Sequence, residues 1–179
     1  AAPGKGRLTV QLGQQLVQAA TIPVGGTCTL VDAITAANTD TATGGCPAGS
    51  GADTIVLPAG STQTLTSVNN DTSGPTGLPV ISSVITIAGQ GSTIVRDSGA
   101  PDFRLLAVSN TGELTLQETT ESGGEASGSF PNNRGGGVVN GSVILVGTRK
   151  SGCHSVVIVR ATGVPAASVR LISRLRAKS

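Results

Sequence analysis

One pair of adjacent donors in this chain could serve a metal or a nucleophilic reaction, Cys153-His154, and His154 is the sole histidine. Neighbours on an extended strand point to opposite faces, so this thiol and imidazole do not converge on one atom. No further Cys or His lies close enough in the chain to complete a ligand set. The carboxylates offer more. Asp53, Asp71, Asp97 and Asp102, with Arg96 and Arg104, are residue types that cleave glycosidic bonds when they gather on one face. Asp97 and Asp102 flank Ser98-Gly99-Ala100-Pro101, where Asp is ordinary turn chemistry, and Arg96-Asp97 reads as a surface ion pair. Gly135-Gly136-Gly137 lacks the Lys-Ser/Thr of a phosphate loop, and glycine at a chain corner is sufficient explanation for it. The sequence therefore assigns no catalytic residue, no metal site and no cofactor.

The three cysteines divide into a pair and a remainder. Cys28 and Cys46 are close in a Gly/Pro-rich setting and are predicted to form a disulfide. Cys153 is left free or intermolecular. A pair of this kind points to an oxidising compartment. The opening Ala1-Ala2-Pro3, without Met, fits the product of signal-peptide cleavage. No run has the length of a membrane span.

What would position these residues is a recurring strand. Thr54-Ile55-Val56-Leu57-Pro58-Ala59-Gly60 is a short apolar run closed by Pro and Gly. It returns as Val84–Gly89, Glu113–Leu116, Val143–Gly147 and, more faintly, Ser168–Ile172. With Ile55, Ile85, Leu114, Ile144 and Ile172 as markers, the step from one run to the next is nearly constant. A strand that recurs at a nearly fixed interval is the mark of a solenoid. The first four markers are predicted to stack in one inward ladder. Shorter apolar pieces at 63–65, 78–81, 93–95, 105–108 and 137–139 supply further strands for each coil.

Composition agrees with a narrow interior. The 179 residues include two Phe, no Tyr, Trp or Met, and 26 Gly, so the apolar set is small and aliphatic. Such residues fill stacked identical layers better than a broad sandwich core, which draws on large rings. The fold class predicted is all-β, a right-handed parallel β-helix. Leu8–Leu12 is a candidate first strand. Leu30, Ile34 and Ala37 have helical spacing, which predicts a short helix over 29–38 ended by Asn38 and covering the open end of the stack. The predicted divisions are a cap at 1–53, coils at 54–147 and a basic strand-forming tail at 148–179.

The pieces Cys28–Ile34 with Ala37-Asn38, Gly51–Gly60, Gly77–Ile81, Ile85–Gly89, Phe103–Leu106, Gly112–Leu116 and Gly135–Asn140 carry a resemblance. In order and spacing they resemble the N-terminal part of bacterial secreted parallel β-helix proteins with a CSLREA-type motif, over about half of the chain. The motif's Arg-Glu is Val31-Asp32 here. The resemblance implies a large cell-surface or secreted protein with no shared catalytic activity. After Asn140 the chain departs from that pattern and turns basic.

Charge is unevenly spread. All ten acidic residues lie at or before Glu125, and seven basic residues with no acidic one follow from Arg149 onward. That tail lacks the aromatics that stack on bases, so nucleic acid is not the expected partner. Val169, Arg170, Leu171, Ile172, Arg174 and Arg176 alternate apolar and basic character, as a strand with one buried face does. The expectation is an extracellular or cell-surface structural protein, a self-assembling (filament or surface-layer) or adhesive subunit that forms a homo-oligomer or filament through this tail, with surface polysaccharide as a further partner. A carbohydrate-active β-helix enzyme and a basic accessory subunit of a larger complex are the rival readings.

Overall fold

The computed structural model describes residues 18–126, 136–139 and 142–151. The chain forms a parallel β-solenoid with one short helix. Its first sheet contains β1 (Thr21–Pro23), β2 (Asp53–Val56), β4 (Val84–Ala88), β7 (Glu113–Gln117) and β10 (Ser142–Val146), adjacent in that order. The second contains β3 (Thr62–Leu65), β5 (Thr93–Arg96), β8 (Thr120–Ser122) and β11 (Arg149–Ser151). β6 (Leu106–Ala107) and β9 (Val138–Val139) pair on the third side, which single bridges Thr76–Arg104 and Ile81–Val108 extend. All pairings between named strands are parallel. Each coil therefore lies about 4.8 Å from the next.

Register decides which residues meet. In the first sheet the inward column is Ile22–Ile55–Ile87–Leu116–Leu145, and a second inward column runs Asp53–Ile85–Leu114–Val143. The predicted single ladder of Ile55, Ile85, Leu114 and Ile144 is thus corrected at two points. Ile55 lies beside Ile87, one pleat away from Ile85, while Ile144 lies beside Thr115 in the outward column Thr21–Thr54–Thr86–Thr115–Ile144. Ile85 and Leu114 do stack. The cause is an uneven repeat: the coil from Ile55 to Ile87 is longer than the one from Ile87 to Leu116. A slip of two keeps a residue on the same face, and a slip of one turns it to the other.

The coils grow shorter at the corner between the first two sheets. Residues 57–61 join β2 to β3, residues 89–92 join β4 to β5, and residues 118–119 join β7 to β8. Ser92 is fully buried there; its hydroxyl donates to the Pro58 carbonyl at 2.7 Å and receives the Ser61 N–H at 3.1 Å. Thr119 and Thr148 hold the same corner in the next coils through the Gln117 and Leu116 carbonyls. Each coil carries a left-handed residue at this corner, Glu118 at φ 46° and Gln90 at φ 50° where glycine stands at Gly60 and Gly147.

α1 (Leu30–Thr39) covers the first coil, within one residue of the predicted span. Thr29 caps its start: the hydroxyl accepts the Asp32 N–H at 3.1 Å and donates to the Asp32 carboxylate at 2.6 Å. The buried face is Leu30, Ala33, Ile34, Ala36 and Ala37. Asn38 does not end the helix as expected; Asp40, at φ 50°, does. Asn38 instead clamps the cap to the coils, donating to the Val80 carbonyl at 2.8 Å and accepting the Ser82 N–H at 2.9 Å. β1, at Thr21–Pro23, went unread in the sequence, and the expected strand Leu8–Leu12 lies outside the described residues.

Cys28 and Cys46 are joined, as predicted, at a sequence separation of 18, and both are buried. Their bond fastens the loop 40–46 to the residue preceding the helix cap. Replacing both by Ser is expected to cost about 3 kcal/mol of stability on chain-entropy grounds. The urea midpoint measures this, and an unchanged midpoint would mean that Asn38 and the helix face hold the cap alone.

Candidate functional site: the buried charged groups

The interior is built from small aliphatic side chains plus Phe103, so charged groups inside it stand out. Four are buried among the described residues: Asp53, Arg96, Arg104 and Glu121. Three of these belong to the set that the sequence offered for carboxylate chemistry.

Asp53 begins β2 and turns inward at the head of the column above Ile85. Its Oδ1 accepts the Ser50 N–H at 2.8 Å and the Ala20 N–H at 3.1 Å. Its Oδ2 lies against Gly49, where any Cβ would come within 2.5 Å of it. Asp53 thus ties the end of the disulfide loop to the lead into β1.

Arg96 ends β5. The expected surface pair with Asp97 is not what forms, because the strand alternation turns Arg96 inward, where its side chain is 8% exposed. Its Nε donates to the Gly123 carbonyl at 2.8 Å and its Nη1 to the Ala100 carbonyl at 2.8 Å. Glu125 lies 3.3 Å from Nη2, Asp102 lies 3.9 Å from Nη1, and the guanidinium stands 5.9 Å from the centre of the Phe103 ring. Asp97 makes the expected turn, accepting the Gly99 N–H at 2.8 Å.

Arg104 is fully buried on the third side of the coil. Its Nη1 donates to the carbonyls of Ser73 and Gly74, fixing the loop 66–76. Burial lowers its pKa below the ordinary arginine value, and the charge of exposed Asp71 opposes that shift.

These residues do not converge on one face. Asp53 serves the cap, Arg104 the loop 66–76, and Arg96 the segments 97–102 and 123–125. Sequence reasoning missed Glu121, which is fully buried in the second sheet. It follows Gln63 and Ile94 in an inward column. The signal was alignment of Thr120-Glu121-Ser122 with Thr93-Ile94-Val95, which places Glu121 under a core isoleucine.

A shallow open depression of about 320 Å³ sits at the shortened corner, lined by Gly91, Glu118, Thr120 and Gly147. Among the described residues no group of three His, Cys, Asp or Glu side chains could hold a metal ion, and no helix is long and apolar enough to cross a membrane. Cys153, His154 and the tail residues Val169 to Arg176 lie outside the described residues. Comparison of the chain with protein-family models, curated proteins and solved structures returned no match.

Proposed function

We propose that this chain is an extracellular or cell-surface structural solenoid that assembles with copies of itself, akin to the β-helix proteins its N-terminal motif resembles. One observation supports the reading: among the described residues the buried charges hold separate loops and do not gather on one face. Asp53, Arg96 and Arg104 bind backbone amides and carbonyls of three separate loops. Charge is also segregated along the chain. Residues 18–126 hold all ten acidic residues and only two of the twelve basic ones, Arg96 and Arg104, a net of −8. The other ten basic residues lie on either side of that span. A body of one sign with ends of the other favours head-to-tail association of identical chains. The buried disulfide supports an oxidising setting.

Sedimentation and electron microscopy of the purified chain test this. Large oligomers are expected at low salt, dissociating as ionic strength rises. Deleting 152–179, which leaves β11 whole, is expected to leave a soluble monomer. A full-length chain that stays monomeric at high concentration and low salt would reject the reading.

A further inference from the structure

We infer that the outer edge of β3 is the acceptor for the basic segment 168–176 of a second copy of this chain. The inference rests on the assembly reading above and names its contact. In the first sheet β1 lies over β2, but in the second sheet β3 is the terminal strand, paired with β5 alone among the described residues. The reason is the course of the chain. After β1 it turns at Gly25–Cys28 and enters α1, which packs on β1 and β2, so no strand among the described residues is laid over β3.

The direction of the unpaired groups follows from the ladder. Thr93 N–H donates to the Ser61 carbonyl and Asp97 N–H to the Leu65 carbonyl. Alternation along a parallel pair then turns the N–H and C=O of Thr62 and Thr64 away from β5. Both of these residues are exposed. An open edge of this kind is a site for strand addition.

Charge and chain course identify the occupant. The acceptor end belongs to the span of net −8, whose two basic side chains, Arg96 and Arg104, are both buried. The donor carries Arg170, Arg174 and Arg176. β11 and β3 are opposite edges of the same sheet, and the chain runs on from Ser151 to Ser179, ample for one further strand. A segment leaving the β11 edge of one copy to pair with the β3 edge of the next repeats without closing.

The test uses the full-length chain. Thr64→Pro removes an N–H that faces away from β5, which an edge strand tolerates, and is expected to weaken association roughly tenfold with the melting temperature kept. Independently, a photoreactive benzophenone residue in place of Thr64, in a mixture of isotopically heavy and light chains, is expected to give heavy–light adducts at 168–176. Adducts within one chain, adducts elsewhere on a second copy, or full assembly of a folded Thr64→Pro chain would overturn the β3 acceptor while leaving self-assembly standing. A parent chain that never assembles would overturn both, and sedimentation of the unsubstituted protein tells the two failures apart. The adduct map stands whether or not Thr64→Pro folds.

Discussion

Replacing Ile87 by Asp is expected to unfold the coils, whereas the same change at Ile144 is expected to be mild. Ile87 is fully buried in the middle of the column formed by Ile22, Ile55, Leu116 and Leu145. A carboxylate there has apolar neighbours above and below and no cation in its column to answer it. The lost burial removes about 1.5–3 kcal/mol. The uncompensated charge adds several more, so a total above roughly 4 kcal/mol is expected. A domain of ordinary stability has only about 5–15 kcal/mol in hand. Stacked coils depend on their neighbours, so the loss spreads along the solenoid. Ile144 stands in the outward column beside Thr115 and is only partly buried, so its carboxylate reaches water and the cost should stay near about 1 kcal/mol. Circular dichroism with urea titration reads both. Equal losses at the two positions would contradict the register.

Arg96→Ala is expected to cost about 3 kcal/mol, most of it from buried acceptors left without a donor. The truncation abandons the Gly123 and Ala100 carbonyls, releases Glu125 and uncovers Phe103. Glu125 is 42% exposed, so its share is small. Arg96→Lys should recover less than half, because an ammonium cannot repeat the spread of a guanidinium over several carbonyls. The expected mark in hydrogen exchange is faster exchange in 97–103 and 123–125, with β2 and β4 unaffected. Uniform loss of protection, or none, would show that Arg96 does not hold these two segments together.

Much of this architecture was readable from local pattern. Apolar runs at a near-constant step implied stacked coils, and the spacing of Leu30, Ile34 and Ala37 implied the capping helix, which spans Leu30–Thr39. The placing of Cys28 and Cys46 implied their bond, which forms. These features depend on periodicity and short-range chain closure, and both are written in consecutive residues.

Register and the use of charge were decided elsewhere. Coils of unequal length lie side by side, so a marker chosen by average step lands one or two positions off, and a single position is enough to turn Ile144 outward. Arg96 next to Asp97 looked like a surface pair because adjacency in sequence suggests adjacency in space. In a strand it means opposite faces, and the Gly123 carbonyl that receives Arg96 belongs to the next coil. Glu121 is polar by type and buried by position, because its column is shared with Ile94. The chain by itself determined that coils would stack and what would cover their first end. Only the stacked structure decided which side chains share a column, because that depends on residues inserted or lost at the corners, which shift register without altering the local apolar pattern.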